Sequence, residues 1–152
     1  MRVENEVTID APIEDAWALT IDVEAMPSMS ETFSSVQRLD AGPLKVGSRA
    51  MVEQPGLGKR TWTVTVLDPP HRFAWTTRLL GSRMTGIHEL EPAGTGCRSR
   101  LAFEITGWTS ALLGALAKKQ IAKAIAIENA GLKRTAETRR LSGEPSPTPP
   151  RP

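Results

Sequence analysis

Three residues of this chain have side chains suited to moving a proton or to making a polar contact inside an apolar space: His88, Gln120 and Glu128. Gln120 and Glu128 lie in a helical pattern running from about Thr109 to Leu141. At 100° per residue, Leu113, Leu116, Ala117, Ala124, Ile127, Gly131 and Leu132 fall on the same side of that helix as these two. Burying a neutral polar group without a partner costs roughly 2–7 kcal/mol. The pair must therefore face a cavity or be matched inside the core. An imidazole exchanges protons near neutral pH, so His88 in a cavity could polarise a carbonyl or act as acid or base. A carboxylate at Glu128 within reach would orient the ring. The same two residues serve equally as a buried structural contact, with His88 an ordinary hydrogen-bonded strand residue. Glu128 could also meet a tryptophan indole or a backbone N–H. Gln120 lies about two turns earlier, roughly 12 Å along the axis, placed for a different part of a bound molecule.

Positioning these groups requires a sheet in front of the helix. Val3 to Ile9 alternates as a half-buried edge strand. Asp10-Ala11-Pro12 then opens a helix with a capping residue and an early proline, and Ile13, Ala16, Trp17, Thr20 and Ile21 follow at helical spacing. A second short helical piece runs from about Glu24 to Met29, with Pro27 ending or kinking it. Six further strands are expected at Phe33–Leu39, Ser48–Gln54, Thr61–Leu67, Arg72–Leu79, Arg83–Glu91 and Cys97–Thr106. Turn-formers such as Pro55-Gly56-Leu57-Gly58, Leu80-Gly81-Ser82 and Ala93-Gly94-Thr95-Gly96 separate them. Short strands with tight connections imply an antiparallel meander that curls and needs a cover for its inner face. The amphipathic helix is the one large cover available. Alternation puts Trp62, Val64 and Val66 on one strand face, Phe73 and Trp75 on the next, and Met84, Gly86, His88 and Leu90 on the third. Leu101, Phe103 and Ile105 share a side of the last strand. Gly86 marks a bulge or room for a ligand. The tryptophans serve as core or as pocket wall, and aromatic burial alone accounts for the former.

Composition excludes several classes. The 152 residues suit one domain over 1–141, followed by a disordered proline-rich tail from Ser142 to Pro152. No secretory layout or apolar run long enough for a membrane span is present, and cytoplasmic location is the default expectation. The single cysteine, Cys97, allows no internal disulfide and is given no role. Two histidines, with His71 in a turn, do not make a metal-ligand set, so no metal or cofactor is expected. Nucleophile elbows and phosphate-binding glycine loops are absent. The formal charge of +2 conceals a polarised chain: residues 109–141 hold seven basic and two acidic residues, and the remainder is net acidic. Without interleaved aromatics this basic helix face is not a nucleic-acid reader. It is either a solvated surface or a docking face for a partner or anionic surface, Lys119 and Lys123 included.

In order and spacing, several segments resemble the START-like, or SRPBCC, superfamily, in its polyketide cyclase/dehydrase-like branch. They are Ile9-Asp10-Ala11-Pro12 leading to Trp17, Met26-Pro27, Val46-Gly47-Ser48-Arg49, Gln54-Pro55 before Trp62-Thr63-Val64, and Asp68-Pro69-Pro70 before Phe73-Ala74-Trp75. His88-Glu89-Leu90, Gly94-Thr95, Gly107 and Glu128-Asn129-Ala130-Gly131-Leu132-Lys133 complete the likeness. The resemblance implies an α+β helix-grip fold: a seven-stranded curled antiparallel sheet around a long C-terminal helix, two short helices after the first strand, and a cavity between sheet and helix. It implies no shared catalytic set. The leading expectation is a binder of a small hydrophobic ligand (lipid, isoprenoid or polyketide-like), as a monomer or homodimer. Its expected contacts are Trp17, Trp62, Trp75, Met84, His88, Gln120 and Glu128. The rival is a cyclase or dehydratase whose proton-transfer groups are His88 and Glu128.

Overall fold

A computed structural model of the chain describes residues 1–144. It contains β1 (Arg2–Ile9), α1 (Ile13–Ile21), a 3-10 turn (Val23–Ala25) and α2 (Met26–Met29). These are followed by β2 (Ser35–Arg38), β3 (Arg49–Gln54), β4 (Gly58–Asp68), β5 (Arg72–Leu79), β6 (Ser82–Ala93), β7 (Gly96–Gly107) and α3 (Ser110–Ser142). The seven strands form one antiparallel sheet in the order β1-β7-β6-β5-β4-β3-β2. β2 to β7 are a meander, and the first strand closes against the last, pairing Ile9 with Cys97 and Val3 with Phe103. Helix α3 packs across β1 and β7, with α1 and α2 beside it. Alternation and turn chemistry led to the meander and its covering helix, and the whole is the helix-grip arrangement that the family resemblance implies.

Several local expectations are corrected. Asp10 does not cap α1: Pro12 holds the N-cap position without a side-chain bond, and Asp10 instead pairs with Arg140. The carboxylate thus ties the loop after β1 to the end of α3. Pro27 sits in the first turn of α2 rather than ending a helix, where its missing N–H leaves no intrahelical bond unmade. Gly86 occupies a regular register between Trp75 and Phe103. The bulge lies instead between Val64 and Val66. The extra residue rotates Val66 onto the outer face, where it packs with Ala74, Ile87 and Ala102, while Val64 stays inside. Ser142 belongs to α3, whose end is capped by left-handed Gly143. The expected tail is therefore shortened, and its part over 145–152 lies outside the described residues.

The helix itself is read differently from its sequence. Its tightly packed stripe is Ile125, Asn129, Leu132 and Ala136, spaced by four, three and four residues. Leu113, Ala117, Ala124 and Glu128 lie roughly a quarter-turn away around the axis, and they face the sheet across a cavity. Leu116 and Gln120, expected to be covered, are exposed. Asn129 explains the rotation. It is fully buried, its amide donates to the Asn5 carbonyl (3.2 Å), Asn5 Oδ1 (2.9 Å) and the Ser99 carbonyl (3.2 Å), and it accepts from Ser99 Oγ (2.7 Å). An amide satisfied on both sides fixes the helix to β1 and β7 at one rotation angle. Gly131 fixes the approach of α2: a Cβ there would lie 2.1 Å from the Met29 carbonyl oxygen. Arg134 donates to that same carbonyl at 3.1 Å. Much of the basic C-terminal face is thereby structural, since Lys133 also bonds the Thr8 carbonyl and Glu137.

Candidate functional site

Helix α3 makes its sheet contacts chiefly with β1 and β7, Gly114 against Met1 and Ile121 beside Val3 and Leu101 included, so over β4, β5 and β6 it roofs a cavity of about 620 Å³. The floor is the inner face of the sheet: Trp62, Trp75, Met84, Gly86, His88, Leu101, Phe103 and Ile105. The roof is Leu113, Ala117, Gln120, Ala124 and Glu128, and the opening is rimmed by the β3–β4 turn at Gln54–Leu57 and by Glu31. The aromatic floor is a connected array. Trp62 and Trp75 have ring centroids 5.4 Å apart, Trp75 and Phe73 5.4 Å, and Phe73 and His88 5.3 Å. Gly86 is where the Trp75 indole crosses the floor, since a Cβ there would be 3.0 Å from its Nε1. A side chain at that position would push the indole into the open volume.

One polar point interrupts this surface. His88 Nε2 and Glu128 Oε1 face each other at 3.7 Å, near enough to interact but beyond a direct hydrogen bond. Among the described residues the His88 side chain makes no hydrogen bond to the protein, and Glu128 is its one ion-pair neighbour. Burial lifts the Glu128 carboxyl to about 8 and depresses the His88 imidazole to about 4. Neither group has a charged neighbour strong enough to offset its loss of water. Near neutral pH the pair therefore holds one proton, on the carboxyl, and carries no charge. On its far side the pair also lines a pocket of about 20 Å³ with Thr20, Met26, Met29 and Ser30, space for one water molecule. The Trp62 indole N–H is a second unusual group: it is buried beside the cavity without an acceptor.

Of the seven expected contacts, Trp62, Trp75, Met84, His88, Gln120 and Glu128 line one cavity. Trp17 does not join them; it is buried on α1 within the hydrophobic core, because the α1 face at Ile13, Ala16, Trp17 and Thr20 packs inward as a unit. Sequence reasoning missed the wall residue Leu57 and the anchor Asn129, while Phe103 lines the cavity from the strand face that alternation gave it. A buried amide adjacent to Glu128 on the helix was the available signal, and it reads as ordinary helix until the sheet is in place.

A family profile described as polyketide cyclase / dehydrase and lipid transport matches residues 1–137. The chain belongs to this family. A search of curated proteins gave no match. Among solved structures, a hypothetical protein, jhp0584, from Helicobacter pylori is similar with a TM-score of 0.77 and 14% identity, covering 90% of this chain and 88% of that one. The Zhui aromatase/cyclase from Streptomyces sp. R1128 aligns with a TM-score of 0.72 and 17% identity, covering 95% and 98%. The di-domain aromatase/cyclase StfQ of the steffimycin biosynthetic pathway gives 0.75 and 13%, covering 92% of this chain and 51% of that protein. At such identities the likeness is one of fold, and this member of the polyketide cyclase/dehydrase and lipid transport family must be read from its own cavity.

Proposed function

We propose that the protein binds one small, largely apolar molecule in the cavity between sheet and α3, with a single ligand oxygen held at His88 and Glu128. The observation that carries this is the pairing of a 620 Å³ apolar volume with one uncharged donor–acceptor point. Two groups 3.7 Å apart can both reach one carbonyl or hydroxyl oxygen at about 2.8 Å from each. The protonated carboxyl donates to it; the imidazole donates or accepts according to its tautomer. A neutral pair suits an uncharged ligand group, because an ionised group held at His88 and Glu128 would be desolvated there without a counter-charge. The charged lining residues, Glu31 and Lys123, are exposed. Gln120 stands nearer the opening, in position for a second polar group.

The test compares two ligands of equal shape, 9-fluorenone and fluorene, by quenching of tryptophan fluorescence. The ketone is expected to bind about tenfold more tightly, the equivalent of one good hydrogen bond. Glu128→Ala should remove that preference while leaving fluorene affinity within about threefold. Failure of both compounds to quench saturably refutes the reading, as does an unchanged preference in the variant.

A second reading is favoured by the same pair. A protonated carboxyl next to an unprotonated imidazole is an acid–base couple able to enolise or dehydrate a carbonyl compound, the carboxyl giving a proton to oxygen and the imidazole taking one from carbon. Turnover of a poly-β-ketone mimic that is lost in a folded His88→Ala variant supports this chemistry; undiminished turnover removes His88 from it.

A further inference from the structure

Four of the seven exposed large apolar side chains of the described residues gather at one end of the molecule: Leu80 (70% exposed), Trp108 (85%), Leu112 (64%) and Leu116 (75%). They are held together rather than scattered. The Thr109 hydroxyl donates to the Leu80 carbonyl at 2.8 Å and also bonds Ser82 Oγ, which fastens the β5–β6 turn to the start of α3. The Trp108 indole lies across Gly81, where a Cβ would meet its Nε1 at 2.2 Å. Leu112 and Leu116 continue the patch along α3 at successive turns. Leu80 is unfavourable on two counts: its side chain is in water, and its backbone sits at φ 49°, a region that strains any residue but glycine or asparagine. A turn selected only for stability would place glycine or asparagine there.

The charges around the patch have one sign. Arg78 and Arg83 face each other across the β5–β6 hairpin, and Lys118, Lys119 and Lys123 follow along α3, while no Asp or Glu occurs between Ile105 and Ile127. Glu104, the nearest acidic residue on β7, is engaged by Arg2. None of these five cations has an ion-pair partner among the described residues. The acidic residue at the cavity opening, Glu31, belongs to a different segment. A tryptophan and leucines ringed by unpaired lysine and arginine match the interface of an anionic bilayer, where indole settles at headgroup depth and each basic residue is attracted to acidic lipid. The patch also runs into the cavity, since Leu79, Leu113, Leu116 and Lys123 line it.

We infer that this end of the molecule docks on negatively charged lipid membranes, with Leu80, Trp108 and Leu112 entering the interface and Lys118 and Lys119 contacting headgroups. Docking goes beyond the ligand-binding reading and stands without it, since the empty protein presents the same surface. The experiment is co-sedimentation of the full chain with vesicles of phosphatidylcholine and phosphatidylglycerol (1:1) and of phosphatidylcholine alone. Expected results are binding to the mixed vesicles at least tenfold stronger than to the neutral ones, weakened by added salt. A blue shift of tryptophan emission on binding should disappear in Trp108→Phe. Trp108→Ser/Leu112→Ser and Lys118→Glu/Lys119→Glu should each lower binding at least tenfold, with urea midpoints showing that both variants remain folded. Equal binding to both vesicle types, no binding to either, or wild-type binding by the folded variants overturns the inference. So does a concentration-dependent dimer, seen by sedimentation velocity, that Trp108→Ser/Leu112→Ser abolishes, because the patch would then be covered by a second copy of the chain.

Discussion

Replacing Glu128 by Gln should change how stability depends on pH, and the structure fixes both window and direction. In the folded protein Glu128 keeps its proton up to about pH 8, whereas in the unfolded chain the carboxyl loses it near 4.5. His88 stays neutral down to about pH 4, whereas the unfolded imidazole takes up a proton near 6.5. Between about pH 4.5 and 6.5 the folded state holds the carboxyl proton and the unfolded state the imidazole proton, so the two contributions oppose one another. Between about 6.5 and 8 only the Glu128 difference remains: the folded state binds more protons, and stability must fall as pH rises. With each group half titrated at its end of the window, about 1.4 kcal/mol per pH unit gives a loss of about 1 kcal/mol across it. The carboxylates held below their ordinary range, Asp40 by its bond from the Arg49 backbone and Glu137 by its bond from the Asp10 backbone, have finished titrating well below this window. The Cys97 thiol, which burial pushes up to about 11, acts only above it. Urea unfolding followed by tryptophan emission at pH 6.5, 7.25 and 8.0 reads the slope. Wild type should lose about 1 kcal/mol, whereas E128Q should lose none, the His88 difference alone raising its stability slightly. A wild-type protein that gains stability over this range, or an E128Q variant with the wild-type slope, would show that Glu128 is ionised in the folded state.

Other substitutions probe how the cavity is held open. Asn129→Ala removes the amide that joins α3 to β1 and β7 and leaves the Ser99 carbonyl without that partner, so the urea-derived stability should drop by about 3 kcal/mol. Gly131→Ala drives a methyl against the Met29 backbone and should cost about 1–3 kcal/mol, visible as a lower thermal midpoint. Gly86→Ala meets only the edge of the Trp75 indole, which has open volume to move into. Its stability should stay within about 1 kcal/mol of wild type, while the Trp75 shift lowers fluorenone affinity several-fold in the quenching titration.

The order of strands and helices could be read from the chain because each signal was local. Alternation marked the strands, Pro55-Gly56 and Gly94-Thr95-Gly96 the turns, and a 3.6-residue period the closing helix. The inward residues Trp62, Trp75, Met84 and His88 followed from the same alternation. What could not be read was set by contacts distant in sequence. Asn129 chooses the helix rotation only once Asn5 and Ser99 are beside it. The face that the sequence left as either cavity wall or matched core is therefore the roof of the cavity, with Leu116 and Gln120 at its exposed edge. The Val64–Val66 bulge is invisible to a period-of-two count, which placed Val66 inside. Trp17 sits on α1 as its spacing indicated, but that the inner face of α1 packs into the core and not on the cavity depends on where α1 lies against the sheet. The meeting of His88 with Glu128 needed the crossing height of helix and strand, which no spacing along the chain encodes.

The central claim is an unfilled, accessible interior between β-sheet and α3. Titration with the neutral fluorophore N-phenyl-1-naphthylamine tests it most directly, in wild type and in Ala124→Trp, which places an indole into the roof of the cavity. Saturable one-to-one binding by the wild type, weakened at least tenfold in a variant that keeps the wild-type urea midpoint, is the expected result. Absence of saturable binding, or equal affinity in the filled variant, contradicts it.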